Sequence, residues 1–172
     1  MTNIYNLFKY LKDKEGRPIP FRYKLFYAPE TITPEDLKVG RDLYLNSTKI
    51  TSLPADLEVG GDLDLRNTPI TSLPAGLNVG GNLYLSHTPI TSLPAGLKVG
   101  DNLWLSDTSI TSLPADLEVG GALILNSTKI TSLPAGLKVG GSLDLRDTPL
   151  SKKYTKEQIK LMAPGVKGEI YK

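Results

Sequence analysis

The sequence predicts a parallel β-solenoid, with about six short strands in one sheet and small helical caps at the ends. Three observations predict this fold. A twenty-residue unit recurs five times between residues 41 and 142, as in "GGDLDLRNTPITSLPAGLNV". Leucine fills the same two columns in every copy, and Pro and Gly follow at fixed offsets. Because one unit has too few apolar side chains to enclose a core, the units must stack and share one.

Residues 1–32 are predicted to form an N-terminal cap, a helix followed by a strand. Apolar side chains recur at helical spacing up to Gly16, and Pro18 then stops the helix. The segment "FRYKLFYAP" alternates in the manner of a half-buried strand. Its basic and aromatic residues could instead stack on RNA bases. We favour capping, because an open solenoid end needs an apolar cover. The apolar helical positions are Ile4, Leu7, Phe8 and Leu11.

Residues 33–150 are predicted to form the solenoid itself. Leu63 and Leu65 are two residues apart and face inward from one short strand, so their neighbours face outward. Strands that recur at a constant interval of twenty residues must be parallel. The segments "TSLPA" and "LEVGG" are predicted to be turns. Pro54 blocks a helix there, and Gly60 permits backbone dihedrals that other side chains forbid.

A threonine follows each predicted strand at an unchanging position. We expect a ladder of hydroxyl groups that bond to backbone polar groups where the chain turns inward, since those groups would otherwise have no partner. The alternative is that threonine merely suits the local backbone. The column consists of Thr48, Thr68, Thr88, Thr108, Thr128 and Thr148.

Residues 151–172 are predicted to form a C-terminal cap, a short helix followed by a tail. Thr155 and Gln158 have the spacing of a capping box, and a Pro-Gly pair ends the helix. The tail is predicted to add a final edge strand through Val166 and Ile170. The helical side chains expected to face the core are Ile159, Leu161 and Met162.

The repeating pattern "LxLxxTxIxxLP" resembles the leucine-rich repeat. It is most similar to the short bacterial type "LxVxxNxLxxLP", which occurs in secreted bacterial effectors and in phage or prophage proteins. The resemblance covers residues 33–150, with Thr in place of the usual Asn and Val-Gly-Gly in place of the usual leading Leu. It implies a solenoid that binds a host-cell protein, such as a defence or regulatory factor that is sequestered or inhibited. The cysteine-dependent ubiquitin-ligase domain of some effectors has no counterpart, since the chain has no cysteine.

Composition and charge narrow the classes of function. Residues 41–149 carry seven basic and eleven acidic side chains, whereas both flanking segments are basic. A net charge of −4 on the repeats argues against nucleic-acid binding, which needs a positive stripe. No apolar run reaches the roughly 20 residues that span a bilayer, and the first residues do not resemble a signal peptide. We therefore expect a cytoplasmic protein with no membrane contact.

The outward strand positions vary between copies, whereas the inward ones do not. Tyr84, Trp104 and Ile124 follow one another in one outward column. Adjacent parallel strands lie about 4.8 Å apart, so these side chains are predicted to form a continuous apolar strip. A Trp and Tyr centre with a polar rim is typical of a protein-binding hot spot. Neutral substitutions that accumulate between the copies could also produce this pattern. The residues predicted to bind a partner are Tyr44, Asp64, Arg66, Tyr84, Trp104, Asp107, Ile124, Asp144 and Arg146.

We expect a non-enzymatic module without cofactor or metal. Asp42, Asp62 and Asp64 could form an acid–base pair or a cation site, but an open surface would not shift their pKa values. His87 is the only histidine and is predicted to be a solvated turn residue.

Carbohydrate binding is the alternative function. Tyr44, Tyr84 and Trp104 could stack on pyranose rings while Asp64 and the amides of Asn82 and Asn102 bond to hydroxyl groups. A shallow open face binds sugars weakly, which favours a protein partner. The apolar strip could also join two copies of the chain.

Overall fold

The computed structural model describes residues 19–172 and is a β-solenoid of about five turns, each about 20 residues long. The described strands contain two residues each. They are β1 (Lys38–Val39), β2 (Leu43–Tyr44), β3 (Glu58–Val59), β4 (Leu63–Asp64), β5 (Asn78–Val79), β6 (Leu83–Tyr84), β7 (Lys98–Val99), β8 (Leu103–Trp104), β9 (Glu118–Val119), β10 (Leu123–Ile124), β11 (Lys138–Val139), β12 (Leu143–Asp144) and β13 (Ile170–Tyr171).

The strands form two parallel sheets. One has seven strands in the order β13-β12-β10-β8-β6-β4-β2, and the other has six in the order β1-β3-β5-β7-β9-β11. Paired residues within the repeats are twenty apart in sequence, as Leu83 and Leu103 are. The seven-stranded sheet contains the six predicted strands and the predicted tail strand through Ile170, while Val166 forms an isolated bridge with Val139. The predicted fold class is therefore confirmed.

The six-stranded sheet is a correction to the sequence-based prediction. The "LEVGG" segments, predicted to be turns, each contain one of its strands, so Lys98 and Lys138 lie on strands. A strand of two residues is too short for alternation to reveal it. We call its outward surface the charged face. The outward residues of the charged face are Lys38, Glu58, Asn78, Lys98, Glu118 and Lys138.

The inward side chains of both sheets share one core. The leucines of the seven-stranded sheet and the valines of the six-stranded sheet belong to a single hydrophobic cluster that extends from Leu43 to Ile170. Leu85 is completely buried, and Val99 is 3% exposed. No turn encloses its own core, which explains why the copies keep their apolar columns so strictly.

The threonine column forms the expected hydroxyl ladder, within each coil. Thr108 Oγ1 donates to the backbone oxygen of Leu105 at 2.8 Å, and Thr88 Oγ1 donates in the same way to Leu85 at 2.7 Å. These bonds satisfy carbonyl groups at the point where the chain leaves the strand. The residue before each threonine adopts a positive φ in every coil, as at Asp107 with φ of 57°.

The glycines after the strand valines from Val79 to Val139 are needed for close approach of the coils. A Cβ on Gly100 would lie 1.9 Å from the backbone oxygen of Gly80, a distance that no carbon atom tolerates. The expectation that Gly60 uses dihedrals forbidden to other residues is wrong, because the described glycines with positive φ are Gly76 and Gly96.

The N-terminal cap differs from the prediction. The segment predicted as a strand is helix α1 (Phe21–Tyr27), followed by a 3₁₀ turn (Pro29–Thr31). Its aromatic and aliphatic residues are also spaced four apart, so the alternation that suggests a strand equally fits a helix. Phe21 and Leu25 pack against the core on one face of α1. The helix predicted for residues 3–16 lies outside the described residues.

The C-terminal cap contains α2 (Pro149–Lys153) and α3 (Lys156–Met162). The predicted capping box is present, with reciprocal bonds between Thr155 and Gln158. Ile159 is buried as predicted, and Met162 is half-buried. The prediction for Leu161 is wrong: it is 82% exposed, because a helix of two turns presents only one narrow face to the core.

Candidate functional site

The outward side chains of the seven-stranded sheet form one continuous row, and we call this surface the strand face. Strand pairing places the members of the row next to one another, one per strand. Tyr171 on β13 extends the row and is not among the residues predicted to bind a partner. In order along the sheet, the row is Tyr44, Asp64, Tyr84, Trp104, Ile124, Asp144 and Tyr171.

The predicted apolar strip, Tyr84, Trp104 and Ile124, occupies the middle of the strand face. The rings of Tyr84 and Trp104 are stacked, with centroids 6.2 Å apart and an interplanar angle of 19°. Trp104 is 37% exposed, and the other two side chains are half-buried. Each of the two rings therefore covers one face of the other.

Asp64 is buried, which corrects its predicted exposure on the outer face. Its side chain is only 3% exposed, because it accepts hydrogen bonds from Arg66 through both carboxylate oxygens. Arg66 Nε lies 3.0 Å from Oδ1 and Nη2 lies 2.6 Å from Oδ2, and the backbone N–H of Arg66 also donates to Oδ1. Arg66 also lies over the Tyr84 ring, 5.0 Å from its centroid. The bond to Asp64 raises the pKa of Arg66.

The same arrangement recurs at the other end of the strip. Asp144, whose side chain is 6% exposed, accepts from Arg146 Nε at 3.0 Å and from Nη2 at 2.5 Å. Its predicted exposure is therefore also wrong. Burial alone would raise the pKa of Asp144, but the bonds from the Arg146 guanidinium and backbone N–H outweigh it, so the pKa lies below the ordinary value. We call the two Asp–Arg pairs the forks.

A ladder of Asp and Asn side chains supports one edge of the strand face. Asp42 Oδ1 accepts from the backbone N–H of Asp62, and Asp62 Oδ1 accepts from the backbone N–H of Asn82. In the same way, Asn82 accepts from Asn102, and Asn102 accepts from Ala122. The bond from Asp62 and a second bond from the Tyr44 hydroxyl lower the pKa of Asp42. These carboxylates therefore have a structural role that no sequence motif predicts.

A groove of 480 Å³ lies beside the apolar strip, at the turn edge of the strand face. His87 and Asp107 flank this edge as exposed turn residues, with His87 Nδ1 3.8 Å from the Asp107 carboxylate. The groove residues outside the predicted set lie two or three positions after a member of the row. In the sequence, only this shared offset indicates that they meet at one edge of the sheet. The groove is lined by Arg66, Asn67, Tyr84, Ser86, His87, Trp104 and Ser106.

Among residues 19–172, no cluster of His, Cys, Asp and Glu has the arrangement of a metal site. In the same range, no helix has the length and apolarity needed to cross a bilayer. No protein-family model matches the chain, and a search of curated proteins finds no match. The solenoid with turns of about 20 residues is consistent with a leucine-rich-repeat-like fold.

Proposed function

We propose that the strand face binds a protein partner, with the apolar strip as its anchor. The observation that carries the proposal is the stack of the half-buried Tyr84 ring on the exposed Trp104 ring. The core beneath is complete without these rings, since Leu83 and Leu103 on the same strands are fully buried. Interface energy concentrates on Trp and Tyr side chains that have a polar rim. Seven strands span about 29 Å, enough for an interface of about 800 Å² per partner.

The predicted binding residues have different parts in this proposal. Tyr84, Trp104 and Ile124 supply the apolar contact, and the guanidinium groups of Arg66 and Arg146 supply specificity at its two ends. Asp64 and Asp144 act indirectly by fixing those groups. Tyr44 and Asp107 lie at the margin of the strand face, where contacts contribute less.

The ring geometry favours a protein partner over a carbohydrate. Stacking on a pyranose requires an aromatic face that is open to solvent. Tyr84 has the Arg66 guanidinium from the preceding coil over its ring, and the Trp104 ring from the following coil stacks against it. Both faces of the Tyr84 ring are therefore covered, and its edge suits the irregular apolar surface of a protein.

A binding role also fits the use of the carboxylates better than catalysis does. A general acid or base needs a carboxylate whose proton can reach a substrate. Asp62 instead accepts from the backbone and side-chain N–H groups of Asn82. Asp64 accepts three hydrogen bonds from Arg66. We therefore assign these groups to structure and propose no enzymatic activity.

The proposal extends to family and setting. The "LxLxxTxIxxLP" unit and the twenty-residue turns support membership of the leucine-rich-repeat family, in its short bacterial type. Such a protein would act in the cytoplasm of a bacterium, encoded by the cell or by a phage. There it would sequester or inhibit a host defence or regulatory protein. This part of the proposal rests on analogy of the repeat unit.

The test is an affinity capture from bacterial lysate, comparing the wild type with the Tyr84→Ala, Trp104→Ala double variant by mass spectrometry. We expect a protein that the wild type captures and the double variant does not. In a titration with that protein, Trp104→Ala should weaken binding by about 30-fold or more and change the free energy of unfolding by less than about 1 kcal/mol.

Tyr27→Ala is the matched control, because Tyr27 is an aromatic residue of similar exposure on α1. It should capture the same protein as the wild type. Identical capture profiles for the wild type and the double variant would contradict the proposal. So would a loss of stability in Trp104→Ala that explains the loss of binding.

A further inference from the structure

The two forks enclose the apolar strip symmetrically. The sequence "LDLR" occurs at residues 63–66 and again at 143–146. Strand pairing places Asp64 next to Tyr84 at one end of the strip and Asp144 next to Ile124 at the other. The forks are therefore four strands apart, which corresponds to about 19 Å.

Each fork presents positive charge outward and hides its negative charge. The carboxylate side chains are 3% and 6% exposed, whereas the side chains of Arg66 and Arg146 are 47% and 63% exposed. A guanidinium carries five N–H groups, and each fork uses the one on Nε and one of the two on Nη2. The remaining donors of both arginines are held in fixed positions, ready for a carboxylate of a partner.

The surrounding charges restrict how an acidic partner can approach. Asp107 and Asp147 lie on the turn edge, and Asp42 and Asp62 lie on the opposite edge of the strand face. A broad acidic surface would meet repulsion from both edges. A narrow segment that follows the row would meet the arginines and the apolar strip instead.

From this placement, and resting on the proposed function, we propose that the partner presents an extended polypeptide segment with two acidic residues six positions apart. Six residues of extended chain span about 20 Å, which matches the separation of the forks. Residues at i, i+2, i+4 and i+6 face the same side of an extended chain. The acidic side chains at i and i+6 would bind Arg66 and Arg146, and apolar side chains at i+2 and i+4 would lie on the strip.

The experiment is a selection from a yeast-displayed library of random twelve-residue peptides on the wild-type protein, which requires no identified partner. We expect enriched peptides with Asp or Glu at i and i+6 and apolar residues between them. One such peptide, synthesised, should bind about tenfold or more weakly after Asp→Asn or Glu→Gln substitution at either end.

Two variants of the protein identify the forks as the cause. The first variant carries four substitutions that remove the charges but keep amide hydrogen bonding, and it should weaken peptide binding about tenfold or more. These substitutions are Asp64→Asn, Arg66→Gln, Asp144→Asn and Arg146→Gln. The second variant combines Arg66→Lys with Arg146→Lys. It keeps both positive charges but loses the two-pronged hydrogen bonding of the forks, and it should also weaken peptide binding. Arg41→Gln, an exposed arginine outside the row, is the control and should bind as the wild type does.

The outcomes separate this inference from the proposed function. Peptides that need Trp104 but have no acidic spacing, or that bind the fork variants equally well, would overturn the inference and leave the proposed function standing. An absence of any peptide that needs Trp104 would count against both. Binding of a single-stranded oligonucleotide through the two arginines, in place of peptide, would also overturn the inference.

Discussion

The strand face and the charged face are built on the same backbone unit, a stack of two-residue parallel strands over one core. On the strand face, aromatic rings of neighbouring coils stack, and within one coil an arginine covers a carboxylate. On the charged face, most side chains extend into solvent. Its ion pair between Lys138 and Glu118, at 2.6 Å, leaves their side chains 70% and 42% exposed.

The larger groove lies on the charged face, yet the candidate site does not. That groove has a volume of 590 Å³ and a floor of glycine backbone and valine, from Gly80 to Gly140. It offers space but no aromatic anchor, and the ion pair between Glu118 and Lys138 that lines it is open to solvent. Concavity alone therefore does not make a binding surface, and the chemistry of the outward side chains distinguishes the two faces.

The largest effect should come from the core that both faces share. Leu85→Ala removes a fully buried side chain and should lower the free energy of unfolding by about 2–5 kcal/mol. Val99→Ala, its counterpart beneath the charged face, should cost about 1–2 kcal/mol because fewer methyl groups are lost. Chemical denaturation measures both. Two separate transitions in either variant would show that the sheets do not share one cooperative core.

A second effect should be confined to the charged face. Gly100→Ala places a Cβ against the backbone oxygen of Gly80, so the coils must separate locally. We expect a loss of about 1–3 kcal/mol in the free energy of unfolding. Gly96→Ala is the control, because Gly96 has open space around it. The positive φ of Gly96 alone should lower the free energy of unfolding by less. Equal losses in the two variants would contradict the close-packing explanation.

The fork at Asp144 should appear in the pH dependence of stability. Since its pKa in the folded state lies below the ordinary value of 3.8, Asp144 stabilises the fold above about pH 4, and this contribution is lost as the pH falls through the lower, folded-state pKa. Asp144→Asn should cost about 1 kcal/mol at pH 7. It should also give a shallower loss of stability below pH 4 than the wild type in urea titrations. Parallel curves would show that Arg146 does not hold this carboxylate.

The smallest effect should come from the exposed ion pair. Lys138→Gln removes the bond to Glu118, but both partners are open to water and counterions. We expect no measurable change in Tm in buffer at physiological salt. A clear decrease would mean that the charged face is stabilised by its side chains after all, and the contrast between the faces would weaken.

The sequence predicted the stacking, the parallel pairing and the inward leucines, because all three follow from one strict repeat. The capping box at Thr155 was also predictable, since it depends only on local spacing. The six-stranded sheet was not, because one valine beside glycine has no periodicity. In α1, seven residues satisfied both a strand and a helical pattern, and only packing against the first coil decides between them.

The candidate site shows the same limit. Pairing alone placed Tyr84, Trp104 and Ile124 together, so the apolar strip could be predicted. The burial of Asp64 could not, because alternation places it outward and says nothing of an arginine that folds back over it. The ladder from Asp42 was missed for a similar reason: its bonds run between coils, to backbone groups that no motif reveals.

The ladder of Asp and Asn side chains also has a consequence for the register in which the coils stack. Near-identical coils could pair with a neighbour one coil too far along and still bury the same leucines, a known hazard of repeat proteins. The ladder extends only from Asp42 to Asn102, because Ala122 cannot continue it. The ladder therefore distinguishes the Ala122 coil from the four coils before it, whereas the inward leucines are the same in every coil.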